Sequence, residues 1–534
     1  MPATPAPLEM TGPGGPILNA SFSRSALGTS AGTDTSPAGA ESLDSWLVCV
    51  FACTVTALGF ALASEQVQHW FLIPVTLCGI LVGKDAVDWL RGRTNLYGPA
   101  GIIGVLGVYF FFVAPLLHVA WDSWTVETEP PPDWRPWLGQ MAILNAIGLL
   151  VYRFVRELVV AKKSPTTVRT WQLHKPTFYS LTAGALTVSA ILQVGVYVVY
   201  GGIVGYIEAS RSVDDAQSMQ GMGVVFLISE TFPILAMLAF AVYAQGKEAA
   251  KSWLVLFLVL AVFFVLKMFF GGLRGSRSTT VWGLFWALGI IHFWLRPLSR
   301  SFVAVGLVAL IGFMYFYGLY KAGGLDAVDT ITDSTARAEM AEKGQRTLDI
   351  LLLADLGRSD VQAFVLYRLS EPQPDYHLAW GETYLATLAH LIPRSIWPDR
   401  PVEVAKQGTE AQYGRGTYVA GDWVSSKVYG LAGEAMLNFG PAAVPFAFIV
   451  LGLVVGYLER YLRDLRMGDP RVLIYPFVVN FAFSILNSDT INLLFFLMKD
   501  GVLVFLILWI SMRRQIEAEP DVSAVEPARI GGNA

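Results

Sequence analysis

The sequence predicts an all-α polytopic membrane protein of about twelve transmembrane helices, with one large polar segment between the ninth and the tenth. Three observations predict it. Hydrophobic residues make up 54% of the 534 and charged residues only 15%, with a mean hydropathy of +0.50; a soluble domain carries about a quarter charged residues. Apolar stretches of about the twenty residues needed to cross a bilayer core recur along the chain. The cations gather in every second connection between those stretches.

Residues 1–43 are rich in Pro, Gly, Ser, Thr and Ala. They have too little apolar surface to offset the entropy of ordering, so a disordered cytoplasmic tail is expected. No basic region followed by an apolar one opens the chain, so the first span is expected to act as the insertion signal. Spans are expected near 46–64, 69–83, 99–120, 139–160, 177–206, 223–245, 253–272, 279–295, 302–320, 441–459, 472–487 and 491–512. Nine lie within 44–322 and three within 441–514, and residues 515–534 form a second tail. Twelve crossings put both termini on one side.

The positive-inside rule selects the side. With cytoplasmic termini, the short inner connections hold nineteen Lys and Arg, from Lys84, Arg91 and Arg93 through Arg153 and Arg156 to Arg513 and Arg514. The short outer connections hold four: Arg135, Arg211, Arg274 and Arg277. Two of these four share the turn between spans seven and eight, against the rule. Lys267 precedes Arg274 by seven residues, two helical turns, so both lie on one face of span seven. Three cations are thus expected at one outer membrane edge. They either snorkel toward headgroups or hold an anion, since a guanidinium grips phosphate oxygens through paired donors.

Residues 323–440 form a 118-residue outer insert. Connections that long are usually functional. A helix is expected over 336–369, and a second, amphipathic one over 383–391. The second either lies flat on the membrane above a cavity or packs inside a small extramembrane subdomain.

Several function classes are disfavoured. Lys plus Arg total 38 against 42 Asp plus Glu, so nothing suggests nucleic acid. Cys49, Cys53 and Cys78 lie in apolar stretches without zinc spacing. There is no Asp-x-Asp, no phosphate-binding glycine loop and no HExxH, so neither metal nor cofactor is expected. Glu127 and Glu129, in a proline-rich outer connection, read as an acidic spacer or a metal site. His118, His292, His377 and His390 are scattered and read as structural. Glu230 lies inside span six, a costly place for an acid and so a candidate site. Lys499 and Asp500 interrupt the last span and point about 100° apart. With Asn480, Asn487 and Asp489 they either line a polar groove or pair helices.

Residues 391–401 carry Pro393, Arg394, Trp397, Pro398, Asp399, Arg400 and Pro401, and residues 433–440 carry Gly433, Glu434, Asn438, Phe439 and Gly440. Together with the arginine-bearing outer turn and the many-helix frame, these blocks resemble the bacterial oligosaccharide repeat-unit polymerases. Those are the Wzy-type O-antigen and exopolysaccharide polymerases. The local likeness covers about 50 residues. It implies a GT-C-like helical membrane glycosyltransferase of the cell envelope, in the bacterial cytoplasmic membrane, joining undecaprenyl-diphosphate-linked oligosaccharides on the outer face. Membrane lipid, a flippase and a chain-length regulator are the implied partners. Arg274, Arg277 and Arg394 are the expected clamp on the leaving diphosphate, with Glu434 as general base. Lys267, Arg400, Asn438, Asp399 and Glu230 are expected to bind substrate, Glu230 being the rival base. An O-antigen ligase or a lipid-linked oligosaccharide carrier are the competing readings. The absence of two matching halves counts against a carrier.

Overall fold

The computed structural model describes residues 38–515, apart from 163–169, 211–221, 275–276, most of 325–348, 372–374, 393–395, 420–426 and 466–467. Almost everything described is helical. The helices are α1 (Ala38–Ala63), α2 (Leu72–Leu90), α3 (Pro99–Ala120), α4 (Arg135–Val160), α5 (Lys175–Val199), α6 (Gly223–Ala244), α7 (Trp253–Phe269), α8 (Arg277–Leu295) and α9 (Arg300–Gly323). The outer insert adds α10 (Ser359–Ser370), α11 (Glu382–Ala389), α12 (Val404–Tyr413) and α13 (Gly430–Phe439), and α14 (Val444–Asp464), α15 (Tyr475–Asn487) and α16 (Thr490–Ser511) follow.

Each of the twelve expected stretches falls on one of α1–α9 or α14–α16. Among the described residues, eight helices are long and apolar enough to cross a membrane: α1, α3, α5, α6, α8, α9, α14 and α16, with α14 counted from the turn at Pro441. The other four differ for visible reasons. α7 and α15 are shorter apolar helices of 17 and 13 residues. α2 carries Lys84, Asp85 and Asp88, and α4 carries Arg153, Arg156 and Glu157. Arg153 and Arg156 are therefore not loop charges, as the cation pattern suggested. Both are buried and reach Asp85 on α2, at 3.3 and 2.7 Å. A buried pair of this kind satisfies charge that would otherwise be prohibitive to bury.

Close helix packing rests on small residues. A Cβ at Gly452 would stand 2.8 Å from the carbonyl of Tyr152, and one at Gly456 would stand 3.1 Å from that of Arg156. These two glycines, four apart on α14, let its backbone approach α4, as in membrane helix pairs generally. Phe448 fills the gap left by Gly148 in the same seam.

The connections sort into two sets. In one, Arg300 donates to the carbonyls of Trp89 and Thr94, Arg296 to that of Lys251, and Arg463 to those of Val160 and Lys162. The same set contains a strand pair that an all-α reading did not anticipate. β1 (Thr170–Leu173) runs antiparallel to β2 (Met512–Gln515), with Trp171 opposite Arg514. In the other set, Thr125 donates to Asp360, Lys427 pairs with Glu127 at 3.4 Å, and the Tyr320 hydroxyl donates to the Leu273 carbonyl. These are the two sets that the cation pattern separates.

The expected helix over 336–369 breaks. Its described part is a wide π-turn, Ile350–Asp355, followed at Ser359 by α10. The carboxylate of Asp360 accepts from the backbone N–H and hydroxyl of Thr125 and lies 3.7 Å from His118, so α10 is clasped to the α3–α4 connection. The expected helix over 383–391 is α11. The tails 1–37 and 516–534 lie outside the described residues.

Candidate functional site

α7 ends at Phe269, and the chain turns through Gly271 into the short 3-10 turn Gly272–Arg274. Gly271 has φ +120°, and a Cβ there would lie 2.5 Å from the Glu230 carboxylate, so only glycine suits. The turn's carbonyls are held from both sides. Those of Phe269, Gly272 and Leu273 accept from Tyr197 and Gln193 on α5 and from Tyr317 and Tyr320 on α9. Side chains carried by so constrained a turn are preorganised rather than searching.

The cations of this turn are not bare. Arg274 stacks over the Phe226 ring at 4.1 Å and pairs with Glu230 at 2.8 Å. Glu230 sits where α6 kinks, one residue before Thr231 and just ahead of Pro233, and it is fully buried. Its second oxygen pairs with Lys499 of α16, whose ammonium also donates to Thr279 at 3.1 Å. Lys267 pairs with Asp500 at 2.9 Å, in space left by Gly283 on α8. Arg277 reaches Asp355 of the insert at 2.8 Å. Among the described residues, four cations thus meet three carboxylates.

Lys499 and Asp500 diverge, as helix geometry required, and they do so within a π-turn, Leu497–Val502. Such turns cluster at functional positions. Asp355 also closes a π-turn. The readings that left Lys267, Arg274 and Arg277 as a cluster by themselves missed Lys499 as the fourth cation and Asp355 and Asp500 as counter-ions.

The second block gathers elsewhere on α16. Glu434 and Asn438 lie one turn apart on α13, which Gly440 and Pro441 terminate. Glu434 is 2% exposed. Its oxygens accept from the hydroxyls of Thr383 and Thr490 and from the Thr490 N–H. Asn438 donates to Thr383 and to the Glu434 carbonyl, both at 2.8 Å, and accepts from the Gly381 N–H. Its amide therefore staples α11 to α13. Beside them the buried Asp489 accepts from the N–H groups of Tyr429 and Gly430. Burial holds the Glu434 carboxyl above the usual range against the pull of its threonine donors. Burial and the neighbouring Glu434 push Asp489 up to about 8.

Arg358 joins the two groups. Its guanidinium donates to the carbonyls of Ala354, Asp355 and Gly357, and it lies within electrostatic reach of Asp489, Asp355 and Asp360. Sequence reading passed over it, although it falls in a Gly-Arg-Ser-Asp run between two helical segments. α16 itself is the second link, carrying Thr490 at its start and Lys499 nine residues on, about 13 Å along the axis.

The other expected residues stand apart. Arg394 lies outside the described residues, as does Pro393. Arg400 donates to the carbonyls of His390 and Ile392, which fixes the segment after α11. Asp399 is exposed beside it. Glu127 is taken by Tyr413 and Lys427 of the insert, an interdomain clasp.

The chain matches no family model, and no curated protein or solved structure is similar to it.

Proposed function

We propose that this chain polymerises polyprenyl-diphosphate-linked oligosaccharides on the outer face of a bacterial cytoplasmic membrane. The observation that carries the reading is the gathering, among the described residues, of four cations, Lys267, Arg274, Arg277 and Lys499, with three carboxylates around a braced turn beside the polar insert. A diphosphate headgroup is an anion that such a cation-rich edge would attract, its oxygens competing with the carboxylates for the guanidinium donors. In this reading all twelve helices cross, both termini are cytoplasmic, and the insert faces outward. The two sets of mutually touching connections support the alternation.

An acceptor hydroxyl attacks the anomeric carbon of the donor sugar. The bond from that carbon to the diphosphate oxygen breaks, and its electron pair stays on the diphosphate. Arg274 and Arg277 stabilise that growing charge, each such donor contributing about 3 kcal/mol to the transition state. The hydroxyl proton passes to Glu434, whose carboxyl burial holds above the usual carboxylate range, the direction that strengthens it as a base. Released polyprenyl diphosphate and a glycan longer by one unit are the products. An O-antigen ligase would use the same donor with a different acceptor.

A carrier is the second reading. It is favoured by the Lys267–Asp500 pair and by Glu230, since ion pairs inside spans mark transport paths. Reconstitution into liposomes with donor in one leaflet separates the two. Lengthened glycan supports the polymerase, and unaltered donor appearing in the opposite leaflet supports the carrier.

A further inference from the structure

α11 is built inside out for a helix in a water-soluble domain. Its inward face carries Thr383 and Thr387, with Ala386 and Ala389, and the two hydroxyls bond into the Glu434 and Thr490 cluster. Its outward face carries Leu385 and Leu388, 53% and 65% exposed, and Leu391 continues it. A domain surrounded by water buries its leucines and exposes its threonines. Here the hydrophobic stripe has been turned outward while the polar one satisfies a buried carboxylate.

A second observation comes from the residue before the helix. Trp380 has φ +48° and is 75% exposed. A bulky side chain in that backbone region is strained, and strain persists only where the surroundings enforce it. The surroundings are the Glu434-bearing helix: the N–H of Ala379, Trp380 and Gly381 donate in turn to the Leu437 carbonyl, the Asn438 carbonyl and the Asn438 side chain. The chain thus holds an indole outward by three bonds.

The apolar face is continuous with the spanning helices. The Trp380 and Tyr384 rings lie 6.4 and 6.3 Å from that of Phe439, which leads into α14. The His390 ring meets Phe495 of α16 at 4.9 Å, and Phe495 is itself exposed on the outer surface of that helix. Past α11 the exposed Ile396 and Trp397 extend the same character.

We propose that α11, with Trp380 at its head, is embedded in the outer leaflet of the bilayer as an interfacial helix. Its Leu385, Leu388 and Leu391 enter the acyl boundary, and the Trp380 indole sits at headgroup level, the depth tryptophan prefers. The insert is then anchored by its own surface as well as by α9 and α14. The cluster of Glu434, Asn438 and Thr383 consequently lies at the lipid surface rather than above it. This inference stands whether the chain polymerises or transports.

The test uses the full chain in vesicles of phosphatidylethanolamine and phosphatidylglycerol. Leu388→Cys and, as a control on the exposed rim of the insert, Thr417→Cys are each labelled with a small environment-sensitive fluorophore; the three native cysteines are buried. The label at 388 should lose most of its emission to lipid carrying a nitroxide near the headgroup end of the acyl chain, and should be shielded from iodide in the water. The label at 417 should behave in the reverse way. Quenching of position 388 by iodide as strongly as position 417, without effect of the nitroxide lipid, would overturn the proposal. Shielding of position 388 from both quenchers would overturn it too, by placing protein rather than lipid on the face.

Discussion

The ammonium of Lys267 lies 2.9 Å from a carboxylate oxygen of Asp500, and both side chains are enclosed between α7, α8 and α16. Removing one partner of such a pair strands the other charge, at a cost of about 3–5 kcal/mol. Asp500→Asn should therefore lower the thermal unfolding midpoint in detergent sharply. The double change Lys267→Met, Asp500→Leu should return the midpoint close to that of the parent. An undiminished midpoint in Asp500→Asn would mean the pair is hydrated.

The orientation has its own test. Cysteines at Ser278 and Thr417 should react with an impermeant maleimide in intact spheroplasts, and one at Ala161, at the end of α4, should not. Labelling only the last would place the insert and the arginine turn in the cytoplasm.

The proposed mechanism gives Glu434 a second job, accepting a proton, beside bracing α11 against α16. Glu434→Gln keeps the size and some of the hydrogen bonding but removes the basicity. Chain extension should fall roughly 100-fold or more, the usual weight of a general base, while donor binding persists. Thr383→Val removes one donor to the same carboxylate and should leave most of the extension. Equal losses in the two variants would make the carboxylate a brace alone.

The acid pair also sets a pH dependence. The native chain keeps on Asp489 a proton that the unfolded chain releases near the ordinary aspartate value of 3.8, and holds it up to about 8. The folded state then binds more protons than the unfolded state across that window, so stability falls as pH rises through it. Asp489→Asn retains an oxygen for the Tyr429 and Gly430 N–H groups and should flatten the fall. Thermal midpoints between pH 5 and pH 8 measure both slopes. Turnover should move oppositely, rising with pH as the Glu434 carboxyl, held above the usual range by burial, loses its proton.

Much of the helical frame was legible in the sequence, because crossing a membrane demands long apolar runs that no tertiary contact can disguise. The Lys267–Arg274 face was legible for the same local reason, a seven-residue spacing on a helix. Partners distant in sequence were not. Nothing in the local pattern around Lys499 selects Glu230, and nothing near Phe269 and Gly272 announces Tyr197 and Tyr317 as their respective clamps. Arg153 and Arg156 misled by looking like loop charges, since hydropathy cannot see Asp85 across the helix pair. The β1–β2 pair escaped because each strand is four residues long and has meaning only beside the other. Arg400 fitted a motif, yet its guanidinium is spent on backbone carbonyls, a use that spacing does not reveal.

The central claim is that the braced arginine turn stabilises a departing diphosphate during glycan extension. The direct measurement is to incubate the purified chain with lipid-diphosphate oligosaccharide, without metal or nucleotide, and to resolve the glycan products by size. The parent should give a ladder spaced by one repeat, and Arg274→Ala and Arg277→Ala should each slow its growth by about two orders of magnitude, with lysine at either position rescuing poorly. Failure of the parent to lengthen the donor, or ladders of normal rate from correctly inserted Arg274→Ala and Arg277→Ala proteins, would contradict the account.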